Sequence, residues 1–373
     1  MKKVITVLAP SFVLTSILAV ASGLSSFAAA FPELPLSMIQ LLTSLPSLIG
    51  MPVILLSGLL CSRFSKKQIV TVSMLLMIAG GLGPVLLHQR FSQLVVCSVL
   101  FGLGFGGISP LTTALIQEHF PPEKQPAMLG YQSAVIGIGG ALFSFLGGRL
   151  AAGGWWHTYF AYLLFLPVLA AILLQPAGEP HAMQSVSLKG LLRWELGFYL
   201  VQSILFAMLF FTFQNNVALL LAARGLGDSA VSGRVLAVQS TVGIISGILG
   251  GKILSAAGKF ALPGIFLVSG CAMLLIFFGG QVPVFYGAAA MLGFVFSLRM
   301  PAGYLKATAS VSPALATMAT AVYCSSSSLG QFLSPLFINA LAEDIGGKFI
   351  LSAAALLAVG VLSLLFECRK RRS

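Results

Sequence analysis

The chain has 373 residues, of which 58% are hydrophobic and only 8% charged, with a formal net charge of +12 and a mean hydropathy of +1.00. A soluble domain carries about a quarter charged residues, so this composition excludes a water-soluble globule and leaves an all-α polytopic membrane protein. The positive balance would suit a nucleic-acid partner in a soluble protein; here it has to be read from where the charges fall.

A hydrocarbon core about 30 Å thick takes about 20 apolar residues per helix. In chain order the sequence offers twelve such spans, at roughly 4–30, 36–61, 68–87, 92–117, 126–149, 155–175, 194–222, 230–256, 261–279, 283–306, 314–341 and 347–366. The first begins with Lys2 and Lys3 and ends in the small run Ala28–Ala30. Its apolar stretch exceeds the roughly 7–15 residues of a signal h-region, so it is read as an uncleaved span. The second ends in GLLCSRFSKK, Gly58–Lys67, and the eighth in GKILSAAGKF, Gly251–Phe260; both apolar runs stop in positive charge.

With the amino terminus in the cytoplasm, 16 of the 21 basic residues fall at cytoplasmic ends and loops, among them Arg63, Lys66, Lys67, Lys124, Lys189, Lys252, Lys259 and Arg369–Arg372. The other five, Arg90, Arg149, Arg224, Arg234 and Lys348, fall opposite. This excess predicts that both termini are cytoplasmic, in a bacterial inner (plasma) membrane, with the lipid bilayer and not nucleic acid as the basic surface's partner. The five cysteines show neither paired spacing nor a CxxC, so neither a disulfide framework nor a zinc site is expected, and no cofactor is implied.

The two charged turns belong to a repeat. An offset of 193 aligns Gly50 with Gly243, Gly58 with Gly251, Ser62 with Ser255 and Lys66 with Lys259. Further on, an offset of 191 aligns Gly102 with Gly293, Pro110 with Pro301, Pro122 with Pro313 and Gly139 with Gly330. Two parallel repeats follow: a six-helix bundle over 1–175, a cytoplasmic linker at 176–189, and a second bundle over 190–373 with a short basic tail. Such repeats clasp a site at their interface near the midplane.

On topology, repeat and loop together, the chain resembles the major facilitator superfamily of secondary transporters. The family's loop after the second helix reads approximately G-x-x-x-D-R-x-G-R-R. Gly58, Arg63, Lys66 and Lys67 match it, while Ser62 and Ser65 replace the aspartate and glycine. The resemblance implies a latch at this loop and at its second copy, Gly251 and Lys259, with hydroxyls and helix-end carbonyls replacing the missing carboxylate. In the fifth span Gly130, Gly139, Gly147 and Gly148 are similar to the glycine skeleton of the family's drug antiporters, with Phe143-Ser144 in place of Gly-Pro. Gly139 and Gly147 are accordingly candidates for gating, against plain close packing.

Gly102-x-Gly104-x-x-Gly107 matches a dinucleotide fingerprint in letters, but that motif needs a strand before it, so helix packing is the expectation. All nine acidic residues fall in loops or near span ends, which leaves a buried carboxylate proton relay unsupported. Polar residues inside spans are the better trail. Gln214, Asn215 and Asn216 in the seventh span, Gln239 in the eighth, Gln132 in the fifth and Tyr323 in the eleventh are candidates for substrate contact or interhelical bonding, and Gln132 and Tyr323 are counterparts in the repeat. Arg299 is the deepest charge, seven residues before Lys306, so about 10 Å further into the bilayer. Either it snorkels to headgroups or to carbonyls freed by Pro301, or it faces the cavity and attracts an anionic or carbonyl-bearing substrate, with Arg234 as a second cation.

The sequence thus predicts a monomeric, non-enzymatic rocker-switch transporter of a small molecule, with any coupling ion left open and efflux favoured over uptake of a small organic anion or metabolite. A membrane scaffold or lipid-handling subunit is the non-transporter alternative. Neither a G-x-S-x-G nor an H-E-x-x-H motif supports an enzyme, and no Walker-type loop supports ATP drive.

Overall fold

The computed structural model describes residues 2–121, 123–174, 193–312 and 315–369. The expected linker 176–189 with Lys189, the aligned pair Pro122 and Pro313, and the tail beyond Arg369 lie outside the described residues. Regular structure among the described residues is entirely helical.

The first predicted span is not one helix. It runs as α1 (Lys2–Leu8), a 3-10 helix (Ala9–Val13), α2 (Leu18–Ser22) and α3 (Leu24–Ala30). The physical reason lies in Pro10, which lacks an amide, and in serines that compete for the backbone: Ser16 Oγ donates to the Val13 carbonyl at 2.6 Å and Ser22 Oγ to that of Ala19 at 2.8 Å. The chain continues through α4 (Leu36–Arg63), α5 (Lys66–Leu86), α6 (Phe91–His119) and α7 (Gln125–Ala151). A 3-10 helix (Trp155–Leu164) then leads into α8 (Phe165–Leu173). After the linker come α9 (Trp194–Ala223), α10 (Ser229–Ala257), α11 (Ala261–Phe278), α12 (Val282–Ala309), α13 (Ala316–Leu341) and α14 (Ile345–Arg369).

By length and composition, nine stretches among the described residues are apolar enough to cross a membrane, and one of them, 229–278, contains both α10 and α11. The break inside it is Gly258, at φ +50°, a conformation that glycine adopts without a steric penalty. With that stretch divided, and with the interrupted first span and serine-rich α13 added, the helices correspond to the twelve predicted segments. Leu86, Leu174 and Phe278 are 82%, 77% and 76% exposed, which water would penalise and lipid does not.

The helix ends are fixed by local chemistry. Ser65 opens α5 with a capping box: its Oγ accepts from the Gln68 amide at 3.3 Å while Gln68 Oε1 accepts from the Ser65 amide at 3.0 Å. Asp228 caps α10 by accepting from the amides of Ala230 and Val231 at 3.0 and 3.2 Å. Arg224, just past α9, donates to the last carbonyls of α11, those of Ile276 and Phe277, at 3.0 and 2.8 Å.

Two buried apolar clusters form. One is drawn almost wholly from α1–α8, around Phe27, Phe143, Tyr162 and Phe165; the other from α9–α14, around Phe206, Phe210, Phe266 and Phe285. The amino-terminal and carboxy-terminal helices meet chiefly along two seams, α7 against α10 and α4 against α13. The end of the molecule where α4 turns into α5 and α9 begins is called basal below, and the opposite end distal.

Candidate functional site

Near the distal end the two sets of helices are joined by uncharged side chains. Gln40 on α4 is the hub: its Nε2 donates to the Asn215 carbonyl and to Asn216 Oδ1, both at 3.0 Å, and its Oε1 accepts from Asn339 on α13 at 2.7 Å. Thr43 Oγ1 donates to Asn215 Oδ1 at 3.0 Å. Closer to the distal surface, Ser26 and Ser229 share a hydrogen bond of 2.7 Å, and Ser232 Oγ donates to the Ser22 carbonyl at 2.6 Å. All three amides of the seventh predicted span, Gln214, Asn215 and Asn216, are buried, and Asn215 and Asn216 are engaged across the seam. In this arrangement interhelical bonding accounts for the carbonyl and Oδ1 of Asn215, while its Nδ2 is buried without a partner.

The glycines of α7 serve close packing on two faces. A Cβ at Gly139 or Gly147 would strike the backbone of Phe12 or Ala19 in the interrupted first span. One at Gly137, Gly140 or Gly148 would strike Ile244, Ser240 or the backbone of Ser229 and Gly233 on α10. Gly102, Gly104 and Gly107 likewise lie against α4 and α5, at Pro46, Ser73 and Met77, so the dinucleotide spelling is a packing pattern.

Arg299 does not snorkel. It is 2% exposed, and its guanidinium points into the carboxy-terminal helices, where NH1 donates to Ser327 Oγ at 2.7 Å and NH2 to Ser203 Oγ and the Ser203 carbonyl at 2.7 and 3.0 Å. The carbonyl it uses belongs to α9 and not to the turn before Pro301. The rings of Phe206 and Tyr323 lie 4.9 and 5.8 Å from the guanidinium carbon, and Nε has no partner. Burial costs less here than extension toward headgroups would, because three neutral oxygens and two ring faces already solvate the charge. Arg234, expected as a second cation, is exposed on α10 and does not join the group.

Gln132 and Tyr323 do hold matching places. Gln132 contacts Thr113 at 3.4 Å and donates to Ser11 at 3.2 Å, whereas Tyr323 packs edge-on against Tyr304, the repeat counterpart of Thr113, with centroids 5.7 Å apart. Ser203 Oγ also donates to the Tyr323 carbonyl at 3.3 Å. Gln239 is 3% exposed with neither amide atom partnered. Its backbone lies against Gly293 of α12.

Comparison with known proteins decides what this arrangement is. Residues 5–335 match the model of the Major Facilitator Superfamily. The chain belongs to the major facilitator superfamily. Among curated relatives of this superfamily chain, the hexuronate transporter of Bacillus subtilis (strain 168) is 24% identical over 213 residues, covering 54% of this chain and 50% of that protein. Multidrug resistance protein 3 of the same organism is 28% identical over 111 residues, 30% of this chain and 21% of its own length. The chain thus spans half or less of these relatives. The fold agrees with a solved peptide transporter POT in complex with sulfate, TM-score 0.79 at 14% identity over 99% of this chain and 94% of that one. It also agrees with the nucleoside transporter NupG, TM-score 0.75 at 12% identity, covering 97% and 99%.

As a superfamily member the chain has an unusual basal loop. The expectation that Lys66 uses helix-end carbonyls is corrected: its Nζ pairs with Glu118 at the end of α6, at 2.7 Å. A carboxylate outcompetes a carbonyl for an ammonium because the bond is charge-assisted on both sides. Lys67 Nζ does take a helix-end carbonyl, that of Leu173, at 2.8 Å, and Ser62 Oγ bonds the Leu59 carbonyl at 2.8 Å. Arg63 is exposed. Gly58 lies in the last turns of α4. In the second copy a Cβ at Gly251 would meet nothing, and Lys259 lies over the Phe260 ring at 4.9 Å.

Sequence reasoning missed Gln40, Thr43 and Asn339, although each is a polar residue inside an apolar span and the signal used for Asn215 applies to them equally. It also missed Ser203 as a partner of Arg299, and the basal group in which Lys306 Nζ meets Glu367 at 2.7 Å while Tyr199 donates to the same carboxylate at 3.2 Å.

Proposed function

We propose that the chain is a secondary active transporter that moves a small molecule by rocking its amino-terminal bundle, residues 1–175, against its carboxy-terminal bundle, residues 190–373. The observation that carries this reading is the unequal distribution of cross-bundle bonds. Gln40, Thr43, Ser26 and Ser22 tie the bundles together distally, whereas the basal groups Lys66–Glu118, Lys67–Leu173 and Lys306–Glu367 each stay within one bundle. That is the pattern of a carrier closed distally, with basal contacts free to part. The excess of basic residues at the basal end supports a cytoplasmic basal face, which is the reading of a bacterial inner-membrane carrier with both termini inside. One chain supplies both bundles, so a monomer suffices.

In this reading Arg299, Gln239, Gln132 and Tyr323 serve the transport pathway, Gln214 and Asn215 belong to the distal closure, and Gly58, Arg63, Lys66, Lys259, Gly139 and Gly147 serve the conformational change, whereas Gly251, with open space around it, falls outside that set. Export is the favoured direction, on the α7 glycine skeleton and the match to a multidrug resistance protein. Uptake of a small organic anion is the second reading, favoured by the buried Arg299 and by the match to a hexuronate transporter. Reconstitution into ATP-free vesicles of both orientations, with a solute panel and an imposed proton gradient, tests all three statements. A scaffold would move no solute in either direction, and a dependence on the gradient would identify the coupling ion.

A further inference from the structure

Resting on the transporter reading, we propose that Arg299 is the recognition residue for one carboxylate of an amphipathic organic monoanion. Four observations converge on it. Among the described residues Arg299 is the only lysine or arginine more than six residues from both ends of its helix, and every group it touches is neutral: Ser203, Ser327, Met300 and two aromatic faces. A guanidinium at that depth is costly without a counter-charge, and among the described residues no ion pair reaches it; the two paired carboxylates, Glu118 and Glu367, are held basally by Lys66 and Lys306. A negative ligand removes that cost, and a neutral one does not.

The second observation is unused bonding capacity. Arg299 Nε and Ser325 Oγ, both able to donate, are buried without partners, on α12 and α13 around the same level. Nε with NH2 presents the fork that binds a carboxylate bidentately, so the ligand displaces the Ser203 hydroxyl and adds the Nε bond while Ser327 still holds NH1. Third, the surroundings are apolar and aromatic, with Phe206, Tyr304 and Tyr323 adjacent and Phe210 stacked on Phe206, which suits a hydrophobic body behind the charge. One arginine balances one negative charge, so a dianion would bring an unpaired charge with it.

The fourth observation is position. Ser203 precedes Asn215 by 12 residues on α9, placing the guanidinium about 18 Å below the distal closure, on the side left free to open. A ligand arriving from the basal end meets Arg299 before it meets the closed clasp.

The test uses purified full-length chain and five probes at equal concentration: benzoate and octanoate, their neutral twins benzamide and octanamide, and the dianion phthalate. The proposal expects at least one monocarboxylate to raise the melting temperature while its amide and phthalate do so roughly tenfold more weakly in apparent affinity. Arg299→Lys should weaken that response roughly tenfold, and Arg299→Gln should abolish it. If Arg299→Gln does not fold, the carboxylate–amide contrast on the natural chain decides, supported by a weaker response in Ser327→Ala. Carboxylates no better than amides, or a response that survives in folded Arg299→Gln, overturns the proposal. A Ser26→Cys, Ser229→Cys pair reports separately on the transporter reading. If its crosslinking still varies with solute, the bundles rock and only the monoanion assignment is lost; crosslinking that never varies removes the transporter reading as well.

Discussion

Asn339 Nδ2 donates to Gln40 Oε1 at 2.7 Å, while Gln40 Nε2 reaches the Asn215 carbonyl on a third helix at 3.0 Å. One side chain therefore couples α4 to both α9 and α13. Interhelical hydrogen bonds in membranes average about 0.6 kcal/mol, so removing the three that Gln40 makes should shift the closed–open balance by roughly twentyfold toward the distally open form. Gln40→Leu is expected to raise the reactivity of a cysteine at Ser229 with a membrane-impermeant reagent applied distally, and Asn339→Ala to do so less. Equal reactivity in all three proteins would mean that packing alone holds the closure.

The two basal ion pairs should respond differently to loss of the lysine. Glu118 is 17% exposed and keeps access to water, whereas Glu367 is 6% exposed and would be left with only the Tyr199 hydroxyl. A buried carboxylate stripped of its cation costs about 3–5 kcal/mol in the extreme and a surface one about 0–1. Lys306→Ala should therefore lower the melting temperature clearly more than Lys66→Ala, and Arg63→Ala should leave it unchanged. Thermal unfolding in detergent, followed by intrinsic fluorescence, gives the ranking.

Glycine positions that look alike in the sequence should separate sharply. Gly148→Ala forces a methyl into the backbone of Ser229 and Gly233 across the α7–α10 seam, while Gly251→Ala places one in open space. The first should impair transport and loosen distal closure with insertion intact. The second should be silent, or slightly stabilising through better helix propensity. Loss of function in Gly251→Ala would return that glycine to the gating set.

The spans were legible because lipid imposes a length and a composition that no other environment does, so α4–α7 and α9–α12 could be drawn from apolar runs alone. The interruption of the first span had its signals in Pro10, Ser11, Ser16 and Gly23, but total hydrophobicity hides a local change of helix type. Asn215 and Arg299 stood out as costly residues. Their partners did not, because Gln40 lies 175 residues from Asn215 and Ser203 lies 96 from Arg299, and contacts across helix seams leave no periodicity to read. Glu118 shows the converse: its place at a helix end was clear, yet its pairing with Lys66 required the fold.

Gln40, Thr43, Asn215, Asn216 and Asn339 are all uncharged, and this bears on what can drive the protein. Moving one elementary charge through a membrane potential is worth about 2.3 kcal/mol per 100 mV, and parting these residues moves none. The lysine–glutamate pairs stay within their own bundles and travel with them. The distal contacts should therefore break at a rate indifferent to voltage and to ionic strength, so that any electrical sensitivity of the cycle reports the charge of the cargo and of any coupling ion against that of Arg299.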